Sequence, residues 1–204
     1  PSGSPGVVTI SATPSLLDVE ALPTERDRAR AQGLMDRCDT WVIGASSEEL
    51  LAFPFLFMTG HKLVRFSAKE RDQLRSFVEQ GGLLFSDDCN HDVNGLYARS
   101  FEQEMRTIFG QQGSLPKIPN SHPLYRSFFR FDSGPPQTSH ELNGWGDELV
   151  HDYLRAVERR GRLGVLYSNK DYGCEWDYDW RNKRFLAEDN TKFGVNIVIH
   201  AMTA

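Results

Sequence analysis

The sequence predicts an α/β sandwich, and three observations carry that prediction. Phe55–Thr59 (FLFMT) is a continuous apolar run, as expected for a strand covered on both faces. Ser67 and Glu70 form a capping box that opens a helix, with Leu74, Phe77 and Val78 at i, i+3, i+4 spacing and Gly81-Gly82 as its stop. Leu83–Ser86 (LLFS) is a second apolar run directly after that stop. Together they read as strand, helix, strand: one right-handed crossover that sets two parallel strands side by side.

The other elements extend this alternation in both directions. Pro1–Gly6 (PSGSPG) reads as a flexible tail, and residues 7–204 as a single α/β domain. Val7–Ser11 is a first strand. Arg26–Cys38 is a polar helix with Thr24 as its cap, and Ala29, Leu34, Met35 and Cys38 on its inner side. Thr40–Ile43 is a second strand, closed by Gly44. Ser46 or Ser47 caps the short turn SEELLAF, whose two glutamates suit a helix N-terminus. Tyr97–Phe109 places Phe101, Met105, Ile108 and Phe109 on one helical stripe. Gly110–Gly146 is loop, with LPKIP as an edge strand. Leu163–Ser168 is a late strand, and Asn190–Met202 a closing helix with Phe193, Ile197 and Ala201 four apart.

Composition narrows the function classes. With 204 residues, 39% of them hydrophobic and 25% charged, the chain can bury a proper core. A formal charge of -5 with scattered Lys and Arg argues against a nucleic-acid partner, which demands a basic face. No apolar run is long enough for a transmembrane segment. Three cysteines, Cys38, Cys89 and Cys174, are too few for a disulfide framework. The chain starts at Pro1 rather than Met, which fits a processed or trimmed product and makes a missing leader uninformative.

The chemistry concentrates where strands end. In a parallel α/β sheet, ligands bind beyond the carboxyl ends of the strands. Thr59-Gly60-His61 leaves FLFMT, and Asp87-Asp88-Cys89-Asn90-His91-Asp92 leaves LLFS, so the two loops should meet. His61, Asp87, Asp88, Cys89 and His91 form a ligand set for a transition metal ion: zinc, iron or manganese, with thiolate biasing it toward zinc or copper. The same groups could serve as acid/base machinery without a metal. The bland alternatives are an aspartate capping the next turn, a hydrogen-bonded structural His61 and an inert half-buried Cys89. Neighbouring residues on an extended chain also point opposite ways, which works against Asp87 and Asp88 sharing a site. His122, in Ser121-His122-Pro123, is placed near the same mouth. His140 and His151 read as surface residues and His200 as structural. Tyr172–Trp180 (YGCEWDYDW) is either a lid or platform, with Cys174 and Asp177 in reach of the site, or a loop packing its rings over a sheet edge. No G-x-S-x-G elbow, phosphate-binding glycine loop or dinucleotide fingerprint is present.

FPFLFMTGH, SAKERDQLRSFVEQGGLLFSDD, SHPLYRSFF, LYSNKDYGCEW and KFGVNIVIHAMT follow one another in that order. Over Leu51–Thr203 they resemble the bacterial family called domain of unknown function 4159. That resemblance implies kinship with the class I glutamine amidotransferase-like superfamily, a flavodoxin-like three-layer sandwich with a mainly parallel sheet. It puts Asp87-Asp88 where many relatives keep a nucleophilic cysteine elbow, with Cys89 slightly beyond. The amidotransferase Cys-His-Glu arrangement is not recognisable, so glutaminase activity is not expected. SHPLY is similar to a His-Pro motif of trehalose-utilisation-like relatives, which is a second reason to place His122 at the mouth. Exported or membrane-tethered relatives imply an extracytoplasmic, periplasmic home. The first fifty residues and CNHD depart from the pattern.

Three functions follow as expectations. The first is a metal-binding protein on His61, Asp87, Asp88, Cys89, His91 and His122, suited to metal-dependent hydrolysis. The second is a non-catalytic module that holds a small ligand, such as a carbohydrate, or a partner protein. The third is a metal-independent hydrolase with an Asp or Cys89 as nucleophile.

Overall fold

Six strands form one open sheet among the described residues of the computed structural model, which are 9–12, 41–176 and 184–203. They are β1 (Thr9–Ala12), β2 (Trp41–Gly44), β3 (Phe55–Gly60), β4 (Leu83–Asp88), β5 (Arg155–Arg159) and β6 (Arg162–Ser168), in the order β2-β1-β3-β4-β6-β5. The centre is parallel: β3 pairs with β4, and β4 with β6. The flanks are antiparallel, β1 beside β2 and β3, and β5 beside β6. This is an α/β fold compatible with a flavodoxin-like one. The expected helix Arg26–Cys38 lies outside the described residues.

The expected crossover is present. Helix α1 (Ala68–Glu79) starts at the Ser67/Glu70 capping box, where Ser67 N donates to Glu70 Oε2 at 2.7 Å and Glu70 N to Ser67 Oγ at 3.3 Å. It ends where Gly81 turns to φ +99°, in the left-handed region that costs glycine nothing, and Gly82 N donates to Phe77 O. Helix α2 (Leu96–Phe109) follows β4. The short α3 (Ser139–Leu142) and α4 (Tyr172–Trp176) lie in connections, and α5 (Arg184–Thr203) closes the chain.

Strand alternation sends successive side chains to opposite faces, and each face buries its own core. Leu56, Met58, Leu84, Val165 and Tyr167 pack with Leu74, Phe77 and Val78 of α1 and Phe101 and Met105 of α2. Phe57, Phe85 and Leu166 pack with Tyr172 and Trp176 of α4 and Phe193 and Ile197 of α5. β4 is buried along its whole length, which explains its apolar run.

β5 was not anticipated. Its outer flank is taken by residues 116–118: Ile118 N donates to Leu154 O at 3.0 Å, Ala156 N to Pro116 O at 2.9 Å, and Lys117 bridges Arg155. LPKIP thus does run along an edge. Arg155 ties it down through the Leu115 and Ser114 carbonyls and Glu102.

Candidate functional site

The strand register builds a mouth at the carboxyl end of the parallel centre. Thr59, Asp87 and Ser168 lie level on β3, β4 and β6, and Gly60 lies level with Asp88. β4 runs two residues further than LLFS, so both aspartates belong to the strand and are fully buried. Cys89 N donates to Gly60 O at 3.0 Å and Asn90 Nδ2 to His61 O at 3.1 Å. The turns leaving β3 and β4 therefore lie side by side. Asp87 and Asp88, however, leave the strand on opposite faces and do not converge on one point. Asp87 Oδ2 accepts from Gly173 N at 2.8 Å, and Asp88 Oδ1 from Asn90 N at 2.9 Å. Their other oxygens, Asp87 Oδ1 and Asp88 Oδ2, have no hydrogen-bond partner among the described residues. Burial pushes the Asp87 carboxyl well above the ordinary range, helped by the neighbouring Asp171. Burial likewise pushes Asp88 up to about 6, with Asp92 and Asp171 adding to it against the Asn90 amide and His91.

Beyond the Asp88 turn, His91, Asp147 and His151 bring two imidazole nitrogens and a carboxylate oxygen within 4.8 Å of one another. His91 is fully buried. Its Nδ1 faces Asn169 O at 2.5 Å, and its Nε2 faces Leu149 O at 2.8 Å and Asp147 Oδ1 at 3.5 Å. His151 Nε2 lies 3.0 and 3.2 Å from the two Asp147 oxygens. The Asp147 carboxylate also accepts from Val93 N and Leu149 N. Burial works to raise its pKa, but those two amides and His151 outweigh it and hold Asp147 below the ordinary carboxylate range.

Non-local ties fasten the segment that carries Asp147 and His151. Asp147 N donates to His91 O at 2.9 Å. Gly146, at φ +69°, sits so close that a Cβ there would overlap that same carbonyl. Deeper in, Lys170 is fully buried, its Nζ 2.5 Å from Glu141 Oε1 and 2.6 Å from His151 O. Glu141 Oε1 in turn accepts from His151 N at 2.8 Å. Burial pushes Lys170 below its ordinary value, opposed by Glu141. His91 and Asp171 hold left-handed backbone, φ 50° and 61°, and such strain is held only where surroundings over-determine it.

A second group occupies the other side of the mouth. Cys89 Sγ lies 2.9 Å from Thr59 Oγ1, beside the thiol of Cys174 on α4. Both cysteines are reduced. The Cys174 contact draws the Cys89 pKa down, while burial opposes it; the same contact, with burial and Asp171, pushes Cys174 up. Asp171 is fully buried, and His140 Nδ1 is in close contact with its carboxylate. The His140 ring lies 6.5 Å from that of His91, so the two groups adjoin.

Of the six residues expected to hold a metal, His91 alone falls in the His/Asp/His group. Asp87, Asp88 and Cys89 line the mouth. His61 is exposed and joins the rim through its backbone carbonyl. His122 is elsewhere. Its Nδ1 accepts from Leu124 N at 3.1 Å, capping the turn Pro123–Arg126, and its Nε2 lies 3.7 Å from Glu158. Glu158 pairs with Leu163 near the start of β6, the opposite end of the sheet from Ser168. Placing His122 at the mouth is corrected on that geometry. Its ring meets His200 at 5.5 Å, and burial lowers His122 and drives His200 down to about 4.

His151 is buried and His140 half-buried, contrary to the surface reading. Tyr172 and Trp176 do pack in the core, but from a short helix and over the middle of the sheet rather than from a loop over its edge; Trp176 Nε1 donates to Asn190 O, and its ring adjoins Phe57 and Phe85. Asp177 is outside the described residues. The sequence reasoning missed Asp147, His151, His140 and Asp171. The one available signal was the Asp147…His151 spacing, four apart in a polar segment.

Among the described residues no helix is long and apolar enough to cross a membrane. No curated protein matches the chain. The family model described as Domain of unknown function (DUF4159) matches residues 29–202. The chain therefore belongs to the DUF4159 family.

Proposed function

We propose that this protein binds a transition metal ion on His91 Nε2, an Asp147 oxygen and His151 Nε2. One observation carries the reading. Both ring nitrogens of His91 face carbonyl oxygens, of Asn169 and Leu149, yet a neutral imidazole donates through only one. Something positive must lie on the Nε2 side, either a second ring proton or a cation. The convergence of a second imidazole and a carboxylate on the same point favours the cation. The Asn169 carbonyl then fixes the Nδ1–H tautomer, as groups outside a metal's own ligands commonly do.

Two imidazoles and a carboxylate suit zinc, iron or manganese, with copper also tolerated. When bound, such an ion supplies Lewis acidity and a water of lowered pKa. Around it the chain's own groups fit hydrolysis. Asp88, half-protonated near pH 6, can hold or yield a proton at Oδ2, and Lys170–Glu141 keeps the ligand segment in place. Glutaminase activity does not enter this reading. The finer fold assignment, a flavodoxin-like three-layer sandwich of the class I glutamine amidotransferase-like superfamily, is supported by the apolar cores on both sheet faces.

Elemental analysis of protein purified without chelator is the test, followed by thermal titration of chelator-washed protein with zinc, iron, manganese and copper. Bound metal at stoichiometric level and a melting temperature that rises with one of the four are expected. An ion at a hundred times its Kd stabilises by about 2.7 kcal/mol. No retained metal and no thermal shift with any of them would sink the proposal.

A second reading is a non-catalytic module for a small ligand or a partner protein. It is favoured by Leu142, Trp145, Leu149 and Val150, which are exposed on and beside the segment carrying Asp147 and His151. This reading expects binding that persists in metal-free protein and in Asp88→Asn.

A further inference from the structure

The mouth contains a pair of thiols that the metal reading does not use. Cys89 and Cys174 are 85 positions apart in sequence, one on the turn after β4 and the other on α4 after β6. The fold brings the two positions together at one hydroxyl: Thr59 Oγ1 lies 2.9 Å from the Cys89 sulfur and 3.4 Å from where a Cβ on Gly173, the residue before Cys174, would stand. Both positions are held from their own side. Cys89 N donates to Gly60 O at 3.0 Å, and its sulfur lies 2.9 Å from Thr59 Oγ1. Gly173 N donates to Asp87 Oδ2 at 2.8 Å, which pins the residue before Cys174 to the end of β4. The two cysteines thus adjoin through backbone ties that oxidation need not break. Cys174 is exposed and Cys89 half-buried, so a small reagent reaches one sulfur and the second waits behind it.

We propose that Cys89 and Cys174 form a dithiol site that closes to an intramolecular disulfide by exchange with a small aliphatic disulfide. The first cysteine, as thiolate, attacks one sulfur of the reagent and releases a thiol, leaving a mixed disulfide on the protein. The second cysteine, also as thiolate, attacks the protein-side sulfur of that bond and releases the second thiol. Two S–H bonds are lost and one protein S–S bond forms. The reagent's disulfide gains the two electrons, and the two protons end on the thiols released. The acidic Asp171, whose charge bears on both thiols, favours a cationic reagent over an anionic one, so cystamine is the probe.

The test uses the full chain with Cys38→Ser, because Cys38 lies outside the described residues and is a third thiol. Chelator-washed protein is treated with cystamine at neutral pH, blocked with an alkylating agent, and examined by intact mass and peptide mapping. The expected product has lost two hydrogens, carries no cysteamine and no alkyl group, and yields one cross-linked peptide joining Cys89 to Cys174. Reductant restores two alkylatable thiols. With Cys89→Ser or Cys174→Ser added, a single stable cysteamine adduct replaces the cross-link. Cysteamine adducts on both cysteines without a cross-link, two thiols still open to alkylation, or a cross-link formed only in urea would each overturn the proposal. Should Cys38→Ser fail to fold, peptide mapping of the unsubstituted chain gives the same discrimination.

Discussion

Asp88→Asn should stabilise the protein at neutral pH, and the size of the gain follows from the surroundings of one carboxyl. Asp88 is fully buried; Oδ1 accepts from Asn90 N, and Oδ2 has no partner among the described residues. Burial above all raises its pKa from the ordinary 3.8 to about 6. The folded state therefore holds this proton more tightly than the unfolded chain does. The stability linked to it is fully present below pH 3.8 and is lost as pH rises through 6. At about 1.4 kcal/mol per pH unit, the loss across that window is about 3 kcal/mol. Asparagine keeps an oxygen for the Asn90 amide and never ionises, but its NH2 replaces a partnerless oxygen at a cost of roughly 1 kcal/mol. The net expectation at pH 7.5 is a gain of about 2 kcal/mol. Urea unfolding with chelator present, run at several pH values from 4 to 7.5, reads the difference between variant and parent. That difference should grow in favour of the variant from pH 4 to about 6 and then level off. Parallel curves across this range would refute the reasoning, because they would mean that the Asp88 carboxylate is solvated or paired in the folded state.

Further predictions concern the ties around the same mouth. His91→Ala and His151→Ala should each abolish the metal-dependent rise in melting temperature while Cys89→Ala leaves it in place, measured on chelator-washed protein with each of the four ions. Lys170→Met leaves Glu141 buried without its cation and should cost about 3–5 kcal/mol in urea unfolding. Ser67→Ala removes the α1 cap and should cost about 1 kcal/mol by the same measurement, with no effect on metal binding.

What could be read from sequence was what depends on near neighbours. The α1 helix is written in residues three and four apart, and its stop is a glycine at positive φ, so capping box, apolar stripe and end are all local. Strand β4 announced itself by apolarity, but its last two residues are aspartates. They are strand because Gly60 and Ser168 lie beside them, which no property of Asp87 or Asp88 reveals. β5 reads RAVER, too charged to look like a strand, and is held by β6 and residues 116–118. The candidate metal group was only one-third visible. His91 follows a strand end, where ligands are sought. Asp147 and His151 come from a polar segment located by Lys170–Glu141 and by the Asp147–His91 backbone bond, contacts that span 29 and 56 positions. His122 was misplaced for the same reason: its chain neighbours say turn, and only the antiparallel return of β5 shows which end of the sheet it occupies.

The short stretch fastened along β5 bears on how these molecules behave toward one another at high concentration. An open sheet ends in backbone groups that can recruit a strand from another copy, the usual beginning of ordered aggregates. Here Ala156 has already spent its amide on Pro116, and the Leu154 carbonyl has been taken by Ile118. The guanidinium of Arg155 rivets the shielding segment through the Leu115 and Ser114 carbonyls and Glu102. Loosening that rivet would leave β5 a bare template, and the first symptom would be turbidity in concentrated stocks.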